Sequence, residues 1–230
     1  MSAFTPASDP PSGSYTALPI NRRSLLERRF SRLLLLLLAM ALLGFSYYVV
    51  VRPWHMRWGA TETERVMPLP GDRFIPPGAI VSTRAITINA PPEAVWPWLM
   101  QIGQGRAGFY SHDWLENLFA ARMENVEVLD PSIPPLQIGD QVSMQHDGPA
   151  LTVSVVEPER ALAFDGWTLY LHPQQDGTTR LIVRYPFAVG ESLWDKVYYY
   201  AIFEEWHFVM ETGMMLGIKQ RAEAHGEQSS

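Results

Sequence analysis

The sequence predicts an α+β fold: a curved antiparallel sheet closed by one long C-terminal helix and preceded by a single transmembrane helix. Three observations carry this. Leu33–Val51 (LLLLLLAMALLGFSYYVVV) is a run of 19 residues without a charge. A β-rich segment is followed by helix signals and then by a series of strands, the order of a layered α+β domain rather than of alternating βαβ units. The chain then closes on a helical, aromatic-rich stretch, Ser192–Ala222.

The charge divides the chain in the same way. Residues 1–57 carry seven arginines against Asp9 and Glu27, whereas the rest carries eleven basic and twenty-two acidic residues. An acidic domain disfavours a nucleic-acid partner. No cysteine occurs, which excludes a disulfide scaffold, Cys-ligated metal and a cysteine nucleophile.

Taken in order, residues 1–32 read as a basic cytoplasmic tail, disordered where Pro and Ser dominate up to Asn21. As a helix, residues 33–51 span about 28 Å, close to the roughly 30 Å hydrocarbon core of a bilayer. Arg22, Arg23, Arg28, Arg29 and Arg32 precede the run, and Arg52, Arg57 and Arg65 follow it. That excess predicts a single-pass protein of the cell membrane, with the N-terminus cytoplasmic and the C-terminal domain extracytoplasmic. Tyr47, Tyr48 and Trp54 supply aromatics for the outer interface. The rival reading is a cleaved signal peptide. It calls for a shorter apolar core, about 7–15 residues, and a small-x-small site, whereas this run ends in VVVRPWHM.

Gly59–Gly78, with Pro68, Pro70, Pro76 and Pro77, predicts a loop draped over the domain. Val81–Asn89 reads as the first strand. Pro91-Pro92-Glu93 opens a helix to about Ile102, its apolar stripe Val95, Trp96, Leu99 and Ile102. A second helix is expected over Ser111–Met123. Strands are expected at Glu127–Leu129, Asp140–Gln145, Leu151–Val156, Ala161–Phe164, Trp167–His172 and Arg180–Phe187, with Asp176-Gly177 as a hairpin turn. In the closing helix, Glu204, Glu205, His207 and Glu211 exclude a second membrane span. It is then expected to be buried on most of its circumference. Its aromatics and methionines are either plain core or the wall of an adaptable apolar cavity.

Gly103, Gly105 and Gly108 (GQGRAG) match a dinucleotide fingerprint in letters, but a helix precedes them where a strand is required, so the segment reads as a glycine-rich turn. The six histidines show no metal-binding spacing, and neither HExxH nor GxSxG occurs, so no metal and no cofactor are expected. Gly105–Phe119 is dense in polar and aromatic residues. Either Ser111 caps a helix while Arg106 pairs with Asp113 or Glu116, or these residues gate a cavity mouth.

RAITINAPPEAVWPWLMQIGQGRAGFYSHDWLENLF, followed by LQIGDQV, LTVSVVEPERAL, GTTRLIVR and HFVM…MLGIKQRAE, resembles the SRPBCC (START-like) superfamily, most of all its bacterial polyketide-cyclase/dehydrase-type members of unassigned function. The resemblance covers residues 58–224. It departs from the pattern at Met210-Glu211-Thr212, where such relatives often carry a basic residue, and in the N-terminal anchor. It implies a helix-grip fold, a sheet curled around the C-terminal helix with a hydrophobic cavity between them.

The leading expectation is a membrane-anchored binding protein whose partners are the bilayer and a small hydrophobic or amphipathic molecule or lipid. The expected lining is Trp98, Tyr110, Trp114, Trp167, Tyr170, Phe203, Trp206, His207 and Met210, with Arg84 or Arg184 as an anion anchor. The second is a cyclase or dehydratase acting on a polyketide-like substrate, with His207, Glu204 or Tyr110 as general acid/base. The third is a non-catalytic envelope interaction module with a filled interior.

Overall fold

The computed structural model of the chain describes residues 22–112, 124–145 and 148–228. The chain falls into two units, Met1–Val49 and Val50–Ser230. In the first, α1 (Arg22–Ser46) exposes its leucines, from Leu33 to Leu43. A π-helical turn (Tyr47–Val51) follows it in the chain across the boundary between the units, and α2 (Arg52–His55) belongs to the second unit. Among the described residues one helix, Glu27–His55, is long and apolar enough to cross a membrane.

The second unit is built on a six-stranded antiparallel sheet in the order β1-β6-β5-β4-β3-β2. The strands are β1 (Ile80–Ile88), β2 (Gln141–Ser143), β3 (Ala150–Glu157), β4 (Ala161–Phe164), β5 (Trp167–Pro173) and β6 (Thr179–Phe187). The β5–β6 turn is the one Asp176-Gly177 announces: Asp176 Oδ1 accepts from the Thr178 amide at 3.0 Å, and Gly177 takes φ +84°. An irregularity between Val153 and Val155 interrupts the β3–β4 register, a feature that bends a sheet. Both edges are blunted. β2 has three residues, and the Thr83 and Ala85 amides of β1 donate to Met56 O and Trp58 O.

Side-chain alternation gives the sheet two unlike faces. Ile86, Ile88, Leu169, Leu171, Leu181 and Val183 point to the concave side and form the main core with α4 (Pro92–Met100) and the C-terminal helix. Ala85, Ala163, Tyr170 and Ile182 point to the convex side. There residues 60–72 cover them through Met67 and Leu69, with α3 (Glu62–Val66) capped by a reciprocal Thr61/Glu64 box. Two arginines, Arg184 buried and Arg180 partly so, pin this cover. Arg184 donates to Asp72 and to the carbonyls of Glu64, Arg65 and Met67, and Arg180 to Glu64. The proline-rich stretch therefore drapes the sheet, as its composition suggests.

Two expectations are corrected. No strand forms at Glu127–Leu129, because neighbouring groups take this segment's backbone bonds. The Val126 amide donates to Ala107 O, Arg221 Nε to Val126 O at 2.7 Å, and Gln101 exchanges two bonds with Asp130. The closing helix is not one buried rod. It consists of α5 (Leu193–Tyr198), a π-helical turn (Tyr199–Phe203) and α6 (Glu204–Gln228). Burial begins in the π-turn at Tyr199 and deepens along α6 to Met214, Met215, Ile218 and Ala222, whereas α5 is exposed on all sides. The rest of the helix expected over Ser111–Met123 lies, from residue 113, outside the described residues.

A six-stranded antiparallel sheet whose concave face holds a long C-terminal helix is the helix-grip form of an α+β fold.

Candidate functional site

Between the concave face and α6 lies a cavity of about 350 Å³. The helix contributes Trp206, His207, Met210, Glu211 and Met214, one stripe at helical spacing, with Phe203 just before it. The sheet contributes Leu151, Trp167 and Tyr185, and the loops Phe109, Ser111, Met144, Gln145 and Pro149. The wall is mostly aromatic and thioether, surfaces that adapt to an apolar guest.

One polar cluster breaks this wall. Arg84 comes from β1 on the same face as Ile86 and is fully buried. Its Nε donates to His55 O at 2.8 Å and its Nη1 to Glu211 Oε2, while the guanidinium lies 5.2 Å from the Phe208 ring centre. Nη1 also lies 3.3 Å from His207 Nδ1. A guanidinium can only donate, so His207 accepts at Nδ1 and carries its proton on Nε2, 3.8 Å from Glu211 Oε1. Burial and the adjacent Arg84 charge hold His207 well below its ordinary value, so the ring is neutral at pH 7. Burial pushes Glu211 up, against the opposing pull of Arg84 and the Trp167 indole. Burial and the Glu211 charge push Tyr185 up to about 12. The His207 ring sits 4.0 Å from that of Tyr185 and 4.9 Å from that of Phe187.

Among the described residues, two cavity-lining polar atoms make no hydrogen bond of ordinary geometry, Glu211 Oε1, an acceptor, and Trp167 Nε1, a donor, although the indole stands near enough to the carboxyl to pull it down. A buried group left this way costs about 1–3 kcal/mol. Together they make one polar spot in an otherwise apolar wall.

Of the residues expected at the site, Trp167, Phe203, Trp206, His207 and Met210 line the cavity. Trp98 and Tyr110 lie behind it, edge to face at 5.7 Å, with the Tyr110 hydroxyl donating to Trp98 O at 2.9 Å. Tyr170 faces the convex side, because three positions along a strand from Trp167 reverses the direction of the side chain. Arg184 lies on that side too, and Arg84 stands behind Glu211 rather than on the wall. Trp114 lies outside the described residues. The glycine-rich segment is a tight turn, with Gly103 and Gly108 exchanging two backbone bonds. Ser111 donates to Met210 O at 3.0 Å, and Arg106 to Met100 O and Pro134 O. The expectation missed Glu211, although its spacing of four from His207 and Arg84's parity with Ile86 were both readable.

Glu204, another of the three acid/base candidates, belongs to a separate cluster. Arg52 holds both of its oxygens at 2.9–3.2 Å, and His55 Nε2 lies 3.3 Å from Glu204 and from Glu205. Burial raises Glu204, but hydrogen bonds from His55, Arg52 and Tyr199 outweigh it and bring the carboxyl down to about 2. His55, Glu204 and Glu205 place one ligand atom each within 4.8 Å of one another. Arg52 already neutralises Glu204, so the cluster reads as an ion-pair network tying α2 to α6.

No family model and no curated protein matches the sequence. Among solved structures, the chain is similar to protein MLL2253 of Mesorhizobium loti, at 18% identity and a TM-score of 0.35, covering 63% of this chain and 98% of that one. It is also similar to the Polyketide_cyc-like protein Cgl2372 of Corynebacterium glutamicum, at 17% identity and a TM-score of 0.29, covering 66% of this chain and 93% of that one. At such overlap the fold assignment rests on the strand order and helix placement above.

Proposed function

We propose that this chain is a membrane-anchored binding protein of the SRPBCC type, which takes a small hydrophobic or amphipathic molecule with one neutral polar group into its cavity. The observation that carries the reading is the apolar cavity of about 350 Å³ with the Glu211 carboxyl and the Trp167 indole close together on its wall and neither Glu211 Oε1 nor Trp167 Nε1 in a hydrogen bond of ordinary geometry among the described residues. A hydroxyl would satisfy both, accepting from the indole and donating to the carboxylate. Arg84 is fully buried and off the cavity wall, and Glu211 engages its Nη1, which favours a neutral group over an anion. The apolar helix Glu27–His55 supports a tether that holds the cavity at the bilayer, where such molecules partition.

The test is mass spectrometry of the full-length protein released from nanodiscs, followed by organic extraction. A single defined adduct per chain is expected, absent from Met210→Trp, which fills the cavity. A bare chain mass, together with tryptophan emission unmoved by a panel of lipids and polyketides, would overturn the reading.

Proton transfer on a polyketide-like substrate is the second reading, favoured by His207 Nε2 standing 3.8 Å from Glu211 Oε1 inside the cavity. It requires turnover of the extracted ligand that Glu211→Gln abolishes while binding persists.

A further inference from the structure

The first turns of the closing helical segment pose a problem that the cavity does not answer. Residues 191–198 are all exposed, and among them stand Leu193 at 74%, Trp194 at 79%, Val197 and Tyr198; Ile202 follows at 58%. Ser192 and Asp195 cap α5 reciprocally, at 3.0 and 3.2 Å, which fixes the start of the helix that carries these side chains. Apolar side chains gathered on a surface in this way mark a contact with something apolar.

The chain's own connectivity says what that is. Val50 and Val51 end the apolar run, and the next residue, Arg52, is bound to this helical segment. It grips Glu204 through two nitrogens and lies 5.3 Å from the ring centre of Tyr200. Two residues on, Trp54 stands half exposed against Phe208 at 5.6 Å. The point where the chain leaves the apolar run is thereby fixed to the π-turn, a few residues from Leu193–Ile202. Arg52 also borders a cleft with Arg57 and Arg65, side chains suited to phosphate headgroups. Trp and Tyr beside aliphatic residues, next to arginines, is the composition of a membrane–water interface.

We propose that Leu193–Ile202 lies in the interfacial layer of the bilayer, with Leu193, Trp194, Val197, Tyr198 and Ile202 among the lipids. The inference rests on the anchored reading above. It adds that the bilayer meets the domain next to the cavity, because the residue after Ile202, Phe203, lines that cavity. A guest passes between membrane and cavity along α5, without crossing water.

The absence of cysteine from the chain makes the test direct. Single cysteines are placed at Leu193, Trp194, Val197 and Ile202 of the full-length protein, labelled with a nitroxide, and compared in nanodiscs for collision with oxygen, which concentrates in lipid, and with a water-soluble nickel chelate. Leu38→Cys in the apolar run serves as the lipid reference. Val128→Cys and Ile138→Cys, exposed at 76% and 68%, serve as water references. The four sites are expected to favour oxygen over nickel several-fold more than the water references do, as Leu38→Cys does. If they match the water references while Leu38→Cys reads as lipid, the interfacial assignment fails and the anchor stands. If Leu38→Cys itself reads as water, the anchor fails and takes the assignment with it. Shielding from both reagents refutes the bilayer in favour of a protein cover.

Discussion

Arg84 and Glu211 offer the sharpest test of the cavity's construction, because the two charges are buried to different purpose. Arg84 is fully buried and Glu211 is 3% exposed. Removing either leaves the other charged in an apolar interior, which costs about 3–5 kcal/mol. The consequences differ with pH. With Glu211→Leu, the guanidinium cannot discharge, and it retains His55 O and His207 as partners, so its own cost, near 3 kcal/mol, does not vary with pH; the loss should shrink as pH rises above the unfolded carboxyl value, because the raised carboxyl removed with Glu211 stabilises the native state less there. With Arg84→Met, the carboxyl that burial already pushes up loses the charge opposing that rise, and it protonates. The loss should be largest at pH 8, about 5 kcal/mol, and shrink towards pH 5. The double variant should cost far less than the sum, leaving a coupling of at least about 2 kcal/mol. Urea unfolding of the full-length protein in detergent, followed by near-ultraviolet circular dichroism, reads all three. Additive losses, or an Arg84→Met penalty independent of pH, would refute the pairing.

Other perturbations follow from the same geometry. His207→Gln should remove an acid-limb slope. The native ring is held neutral while the unfolded one titrates near pH 6.5, so the unfolded state binds more protons and stability falls as pH drops below that value, by up to about 1.4 kcal/mol per pH unit. Glu211 opposes this, since a raised carboxyl makes the native state bind more protons above its unfolded value; the comparison is therefore made in a Glu211→Gln background. Glu204 acts at lower pH. With a native value of about 2, its stabilising contribution is complete above the unfolded carboxyl value and is lost as pH falls towards 2, so Glu204→Gln should flatten unfolding curves recorded across that window. Gly217→Ala puts a methyl group onto the Tyr110 carbonyl, so α6 and the Gly108–Ser111 loop must separate; a loss of about 1–3 kcal/mol in the same assay is expected.

The fold was legible because its signals are periodic and local. Strand ends fell within a residue or two, since alternation from Ala161 to Phe187 stops at turns that Asp165-Gly166 and Asp176-Gly177 enforce through φ of +46°, +96° and +84° at Asp165, Gly166 and Gly177. The strand expected at Glu127–Leu129 did not form for the converse reason. Val128 there, with Val126 just before it, fits a strand, but Arg221, ninety-five positions downstream of Val126, takes the backbone carbonyl a neighbouring strand would need. No local pattern records such a competitor. The closing helix misled through composition. Leu193, Trp194 and Val197 look as buried as Met214 and Ile218, and only the fold separates them.

The site was half legible, and the division has a physical cause. A helix stripe can be read from spacing, so Phe203, Trp206, His207 and Met210 emerged together. The sheet wall needs register. Trp167 faces the cavity while Tyr170 turns away, and Tyr185 joins Trp167 only because β5 pairs with β6 through Thr168 and Arg184, which sets the next residues on the same concave side. In the sequence Glu211 argues against a second membrane span and falls where the chain departs from the SRPBCC pattern, and neither observation marks it as part of a site. Its meaning appears once Arg84 arrives from β1, 127 positions away, to hold one oxygen and leave the other facing the cavity. A polar group in an apolar wall becomes a binding element only when its partners are counted, and those partners come from strand pairing and not from neighbours in sequence. The placement of Arg84 behind Glu211 is therefore what the proposed preference for a neutral guest depends on. The same arginine exposed on the wall would favour anions, whereas paired with Glu211 it leaves the carboxyl and the Trp167 indole as the polar part of the wall.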